Sequence, residues 1–458
     1  MTSAQNHLPL LNGSKLILLA FLGSIIISCG TTAPSTSTNP RIIEIDTPNE
    51  SETDEEVIEV DTVQWTFESP DDYVPITAET KVAAFGIERT TKDYYKIALM
   101  LPMRIKDISA ELDANNRKFA EFYAGIKKAA SEFSGVRADV KVYYTNRESA
   151  RVNEILKDMS YDKPDLIIGP YVTNLIKQVA EFGRDNRIPV ISPWKLSKSI
   201  TDENIFFLQM RPAIEHYFER IVDHVNFNFD RTEVAVIQRE GRKDVAKTRM
   251  IEEINQESSS VPVVQPYNVV SISQDSLMDA EANVFDTLLD MGSKAFILPH
   301  FSSNDENFIY SCLRKMYGEK NGRDFQVYTM PVALNSERID INLLKNLNIR
   351  TPEFRFPDFQ NPAIAAFKKA YLNEYGWLPS EDSFYGYDLM SFILHGLREH
   401  GQYFHYYMAG ESLDLLQMKI QIEPYFEDKN ARYPEFLVNK HLYIIEYDTD
   451  HFVINENQ

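Results

Sequence analysis

The chain has 458 residues, 43% of them hydrophobic, enough for a sizeable core and for more than one domain. Lysine and arginine number 47 against 68 aspartates and glutamates, a net charge of −21, which argues against nucleic acid and anionic lipid headgroups as partners. Only two cysteines occur, Cys29 and Cys312, so this is not a disulfide scaffold.

Lys15 precedes an apolar run from Leu16 to Ile27. That run is shorter than the roughly 20 residues of a membrane span and suits the apolar part of a signal peptide. It stops at Ile26-Ile27-Ser28-Cys29-Gly30. This resembles the lipobox of bacterial lipoproteins. The resemblance implies a signal peptide over residues 1–28, cleavage after Ser28, and a diacylglycerol thioether on Cys29. Two or more buried acyl chains anchor a protein lastingly. The expected partner is therefore a lipid bilayer, and the expected location is the cell envelope, on the periplasmic side or the cell surface. Residues 29–93 read as a lipidated tether. Thr31 to Pro40 is a Ser/Thr/Pro-rich spacer. From Arg41 to Asp93, 15 acidic residues face 4 basic ones, and their repulsion favours an extended chain.

From Tyr94 the pattern becomes strand and helix in alternation. Continuous apolar runs ending in breakers predict buried parallel strands at 96–102, 140–144, 165–170, 188–193 and 205–210. Helical spacing of apolar residues predicts helices at 119–133, 150–159 and 173–186 between them, with Thr173 as an N-cap. A second array repeats the cycle. Helices at 214–226, 243–255, 280–291 and 306–317 alternate with strands at 233–237, 261–264, 295–299 and 325–328. Cys312, in the last of these helices, reads as a small buried hydrophobe. Two helices follow, at 362–371 and 383–400, then a strand pair at 442–447 and 452–454. Two successive β-α arrays imply α/β architecture with two doubly wound lobes.

Four segments carry a more specific likeness: Lys96-Ile97-Ala98-Leu99-Met100-Leu101-Pro102; Asp165-Leu166-Ile167-Ile168-Gly169-Pro170; Arg187-Ile188-Pro189-Val190-Ile191-Ser192-Pro193; and Tyr371 to Pro379 leading into Tyr385-Gly386-Tyr387-Asp388. In order and spacing, residues 94–458 resemble the type I periplasmic-binding-protein family, in its branched-chain amino-acid-binding branch. The resemblance implies two lobes joined by three crossings and closing on a small ligand. It places lobe one at 94–211 and 331–439 and lobe two at 212–330 and 440–458, with crossings near Arg211, near Met330 and before Lys440.

Ligand loops of open α/β sheets lie at the carboxyl ends of strands. Under the resemblance the cleft candidates are Arg104, Tyr171, Thr173, Ser192 and Trp194 in lobe one. In lobe two they are Arg239, Glu240, His300 and Ser302, with Pro331 near the rim. Thr173 could donate at a helix N-terminus, where anions are favoured. Amino-acid binders of this family use Ser and Thr hydroxyls where this chain has Tyr171, Val172 and Trp194. A lone histidine such as His300 is a poor metal candidate, Asp388 reads as structural, and Tyr403, His405, Tyr406 and Tyr407 as a docking surface or loop packing. No G-x-S-x-G, H-E-x-x-H, Walker or C-x-x-C motif occurs, so neither catalysis nor a cofactor is expected. The reading is a membrane-anchored extracytoplasmic solute-binding protein of the ABC-transporter type. The alternative is an envelope lipoprotein that uses the same fold to bind a protein partner, such as a regulator of peptidoglycan synthesis.

Overall fold

The protein is described by a computed structural model, which covers residues 62–64, 89, 91–104, 114–194, 200–258, 265–427, 434–448 and 451–455. The signal peptide, Cys29 and most of the tether lie outside the described residues. In chain order the strands are β1 (Thr62–Gln64), β2 (Tyr94–Leu101), β3 (Arg137–Tyr144), β4 (Leu166–Ile168), β5 (Val190–Ser192) and β6 (Phe207–Gln209). Next come β7 (Val234–Arg239), β8 (Asn268–Ile272), β9 (Ala295–Leu298), β10 (Gln326–Thr329) and β11 (Ile349–Glu353). The chain ends with β12 (Ser412–Asp414), β13 (Lys419–Tyr425), β14 (Phe436–Asn439), β15 (Tyr443–Asp448) and β16 (His451–Ile454).

These strands form two sheets, in the orders β1-β3-β2-β4-β5-β6-β14-β13-β12 and β16-β15-β11-β10-β9-β7-β8. The five parallel strands β3-β2-β4-β5-β6 and the five parallel strands β8-β7-β9-β10-β11 are wound alike. Each sheet starts in its interior, adds one neighbour, then reverses and grows the other way. That reversal is the switch point at which α/β sheets open a crevice. The apolar runs that predicted strands are buried because helices cover both faces. Helix Ser149–Tyr161 turns Val152, Ile155, Leu156 and Met159 inward, and helix Thr173–Asn186 turns Leu175, Ile176, Val179 and Ala180 inward. Both sets pack against Ala98, Met100, Ile167 and Val190 of the first sheet. Cys312 sits fully buried in the core of the second.

Several expectations need correction. The tether is not free throughout, because β1 pairs antiparallel with β3, Val63 opposite Val140. The acidic run stops at Asp61, and Thr62 and Val63 are β-branched, a type that suits a strand. The second crossing lies after Glu353, not near Met330. Strand β11 stays in the second lobe, parallel to β10 and antiparallel to β15. Its sequence Ile-Arg-Thr-Pro-Glu lacks an apolar run, and Arg350 is buried there through its ion pair with Glu446 at 2.7 Å and a hydrogen bond donated to Gln326 Oε1 at 2.5 Å. The strand expected at 261–264 lies outside the described residues, and β8 follows it. The helix expected at 280–291 is shorter, Val284–Asp290, and a separate short helix, Gln274–Met278, precedes it. Between them Asp279 accepts from the Glu281 amide at 2.9 Å, a local turn that competes with helix.

The long helix Glu381–His400 returns to the first lobe and lies across helix Ala114–Glu132. The two backbones come so close that glycine is required on both. A Cβ on Gly386 would run into the Phe122 carbonyl, and one on Gly125 into the Ser383 carbonyl. Asp388, two residues on, is fully buried and accepts from the amides of Leu416 at 3.0 Å and Gln417 at 2.8 Å. It pins the loop before β13. It does not cap the helix start, where Ser380 accepts from the Ser383 amide. Tyr406 and His405 are buried, and Tyr403 and Tyr406 pack edge-on against Phe206, so this aromatic group is loop packing.

Gly386→Val should destabilise the chain by about 1–3 kcal/mol or more, the usual cost of overpacking. Gly318→Ala is the control, since its Cβ in helix Glu306–Glu319 meets nothing within 4 Å, and it should stabilise by up to about 1 kcal/mol. Thermal unfolding of both variants checks the pair, and equal melting temperatures would refute the close crossing.

Candidate functional site

Between the two lobes lies a cavity of about 620 Å³. Its first-lobe wall is built at the carboxyl ends of the parallel strands. Tyr171 follows β4, Pro193 and Trp194 follow β5, Arg211 follows β6, and Lys118 comes from the helix after β2. Its second-lobe wall comes from Pro331, Leu334 and Asn335 after β10, from Glu353 at the end of β11, and from Ile445 and Phe452. The chain between β11 and helix Pro362–Tyr375 closes a third side with Phe354, Arg355, Phe356, Pro357 and Phe359. Glu381, Asp382, Tyr385 and Gln417 complete the lining.

The aromatic wall follows from the glycine crossing. Because Gly386 lets the helices touch, Tyr385 reaches Phe122, with ring centroids 5.6 Å apart, and donates its hydroxyl to the Pro193 carbonyl. Trp194 stands edge-on to Phe119 at 5.3 Å and to Tyr171 at 5.7 Å. Trp194 is 7% exposed, and its indole N–H has no hydrogen-bond partner among the described residues. Trp194 and Tyr171 therefore floor the cleft without filling it.

The charged groups are placed on this wall. Arg355 stacks over Phe354 at 4.9 Å and Tyr385 at 4.6 Å, and Arg211 over Phe354 at 5.2 Å. Such stacking favours a cation without neutralising it. Glu353 faces the cavity and is enclosed by protein. Burial pushes its carboxyl up to about 7, against the pull of Arg355 and Arg211. Burial also raises Asp382, opposed by Lys118 and Arg355. Burial pushes the Tyr217 hydroxyl up to about 12, although Arg211 lies beside it.

The sequence-derived candidates fall into three groups. Tyr171, Trp194 and the rim residue Pro331 line the cavity. Arg104, Thr173 and Ser192 do not. Arg104 is exposed and donates from Nε to the Asn146 carbonyl at 3.2 Å. Thr173 is the first helical residue and is exposed, and the N-cap is Val172, which offers no side-chain cap. Ser192 is fully buried inside β5. In the second lobe Arg239, Glu240, His300 and Ser302 stay out of the lining as well. Arg239 pairs with Asp305 at 2.8 Å and Asp244 at 3.4 Å, Lys247 pairs with both acids, and His300 Nε2 lies 3.2 Å from Asp244. Burial pushes His300 down in spite of Asp244. Burial opposes ionisation of Asp244 too, but His300 and Lys247 outweigh it and hold that carboxyl well below its usual range. These charges pair with one another at the carboxyl ends of β7 and β9, while His300 Nδ1 is buried without a partner among the described residues. Ser302 caps the turn Ser303–Asp305, accepting from the Asn304 amide at 3.2 Å, and Glu240 is exposed.

The residues missed from sequence are Lys118, Arg211, Glu353, Arg355, Glu381, Asp382 and Tyr385. A signal existed for one of them, since Arg211 was placed at a crossing between lobes. For Glu353 and Arg355 the misplaced second crossing hid the same signal. Among the described residues no group of three or more His, Cys, Asp or Glu side chains could hold a metal ion. No described helix is long and apolar enough to cross a membrane.

Comparison with known proteins agrees with this geometry. Residues 125–402, more than half of the chain, match the family model described as receptor family ligand binding region. No curated protein matches in sequence. Among solved structures, a protein assigned as a branched-chain amino acid ABC transporter from Rhodospirillum rubrum superposes with a TM-score of 0.56 at 14% identity, over 79% of this chain and 100% of the other. An ABC transporter substrate-binding protein from Desulfitobacterium hafniense gives 0.53 at 11% identity, over 79% and 100%. A branched-chain amino acid ABC transporter periplasmic ligand-binding protein from Burkholderia xenovorans LB400 gives 0.51 at 10% identity, over 79% and 94%. At such identities the likeness concerns the fold, that of a type I periplasmic binding protein.

The raised Glu353 carboxyl predicts a pH dependence. Its folded pKa of about 7 exceeds the ordinary 4.5, so folding takes up a proton in that window. Glu353 is thus most favourable to the fold below pH 4.5, and that advantage is lost as the pH rises to about 7. One proton carries at most about 1.4 kcal/mol per pH unit, and solvent in the cavity lowers this. Glu353→Gln should therefore gain stability relative to the native chain between those limits. Denaturant melts across the range check it, and parallel curves would show that Glu353 is not perturbed.

Proposed function

The chain belongs to the receptor family ligand binding region, and from that premise we propose that it is an extracytoplasmic solute-binding protein. It captures a small molecule between two lobes and hands it to a transport or sensing system in the cell envelope. The observation that carries this reading is the cavity of about 620 Å³ bounded by both lobes and by two of the segments that join them. A ligand held there contacts the hinge itself, so binding and closure are linked, a common switching mode. In size the cavity falls in the usual range for small-molecule sites, roughly 300–1,000 Å³.

The lipobox-like sequence before Cys29 supports lipid anchoring to a bacterial membrane, with the acidic segment as a tether. The envelope-partner alternative, such as a regulator of peptidoglycan synthesis, expects a cleft filled by its own side chains, and the open cavity weighs against it.

The binding reading is tested by screening the purified protein against amino acids, small peptides, organic acids and muropeptides for thermal stabilisation. A ligand at about 100 times its Kd should add about 2.7 kcal/mol, and small-angle scattering should show the particle contract. If no solute stabilises the protein, the reading fails. The anchoring is tested in cells by labelling with an acyl-chain analogue. Cys29→Ser should abolish labelling and move the protein from the membrane fraction to the soluble one, whereas continued membrane retention would overturn the lipobox assignment.

A further inference from the structure

The solute-binding reading leaves the chemistry of the solute open, and the cavity narrows it. Three cationic side chains line it, Lys118, Arg211 and Arg355, in a chain whose net charge is −21. Their surroundings differ from those of cations whose charge is answered by an acid. Lys128, Arg239 and Arg350 each have a carboxylate within ion-pair distance. Among the described residues Arg211 and Arg355 have none, and they are held by the rings of Phe354 and Tyr385 instead. Arg211 Nε is buried without an acceptor, and so is the indole N–H of Trp194 on the same lining. Rings orient a guanidinium but accept no hydrogen bond in its plane, so its donor fork stays available for a planar or tetrahedral anion.

Three carboxyl groups share the lining, Glu353, Glu381 and Asp382. Glu353 is the one enclosed beside the arginines, and with its pKa raised to about 7 it carries only part of a charge near neutrality. Glu381 is exposed. Gln417 adds one buried acceptor without a partner, which suits a single donor on the ligand. Buried on the lining without a partner are therefore two N–H donors, Arg211 Nε and the Trp194 indole, against one amide oxygen.

We infer that the cavity takes a small organic anion, a carboxylate or a phosphate, seated against Arg211 and Arg355 with its apolar part on Tyr171, Trp194 and Phe354. This rests on the solute-binding reading and adds the charge and shape of the solute. It also moves recognition of the anion away from Thr173 and Ser192, neither of which reaches the cavity, and onto two of the segments that cross between the lobes. Arg211 stands just after β6 on the first crossing, and Arg355 stands just after β11 on the second. An anion bridging the two guanidiniums ties both crossings together.

Isothermal titration of the full chain with four probes of one shape tests the inference: benzoate, phenyl phosphate, benzyl alcohol and benzylamine. The expected result is binding of benzoate or phenyl phosphate, weakened by salt, with no binding of the alcohol or the amine. The tighter of the two anions says whether a carboxylate or a phosphate is the natural group. Arg211→Gln and Arg355→Gln should each weaken the anion at least about tenfold, whereas Arg355→Lys should lose less because it keeps the charge. Circular dichroism melts of the variants guard against loss of fold. If the alcohol or the amine binds and neither anion does, the anion assignment is overturned and the solute-binding reading stands. An anion that binds both Gln variants as tightly as the native chain overturns the assignment as well. If all four probes are silent, the assignment fails, and the solute-binding reading is then decided by the broader thermal-shift screen.

Discussion

Two helices from opposite ends of the folded sequence touch backbone to backbone at Gly125 and Gly386, and the arrangement of the cleft depends on that contact. The chain leaves the first lobe after β6, builds the second through β11, and must return. Its return is fixed by the docking of helix Glu381–His400 onto helix Ala114–Glu132. Close approach gains dispersion contacts along the crossing, but only because neither partner carries a Cβ there. The ion pairs of Lys128 with Glu132 at 2.8 Å and Glu374 at 3.1 Å tie helix Pro362–Tyr375 to the same group. Between the fixed end of β11 and this fixed helical group, the chain from Phe354 to Gln360 has to run along the cleft.

The cleft inherits its chemistry from that route. Tyr385 sits one residue before Gly386, so the crossing that admits the glycine also aims the tyrosine at Pro193 and Phe122. Arg355 then lies on the Tyr385 ring, with Phe354 beneath both arginines. In the second lobe the corresponding strand ends, β7 and β9, are closed by their own ion pairs among Arg239, Asp244, Lys247 and Asp305. Charges that answer one another are not available to a solute. Arg211 and Arg355, on the crossings, have no such ion pair among the described residues.

The sequence was legible where one physical signal dominates. Continuous apolar runs marked β2, β4, β5 and β9 because strands buried on both faces need them, and helical spacing located helix Thr173–Asn186 to the residue. It was least legible where burial is achieved by pairing. Arg350 in β11 is buried against Glu446, so the strand reads as polar, and the second crossing was set too early. Strands β12, β13 and β14 went unread for a related reason: they form an antiparallel extension in which Glu423 and Lys440 are held by each other. Trp194 and Tyr171 were found because bulky rings at strand ends are conspicuous. Glu353 and Arg355 were not, because a site built on crossings is visible only once the crossings are placed.

This has a consequence for how such a cleft selects its occupant. A hydroxyl or backbone N–H on one lobe recognises a ligand whether the lobes are open or closed, and closure then adds the second lobe's contacts. A cation on a crossing is different, because its position changes with the hinge angle. Arg211 and Arg355 share the Phe354 ring, so their separation is set by how the two crossings lie on one side chain. Two like charges on a shared ring repel, which favours separating the crossings, and an anion between them reverses the sign of that interaction. A ligand can shift an equilibrium only by its differential affinity for the two states. In the proposed reading, placing the cations on the hinge makes that difference large for an anion and small for a neutral molecule of the same shape, and the same four side chains, Arg211, Phe354, Arg355 and Tyr385, join selectivity to closure.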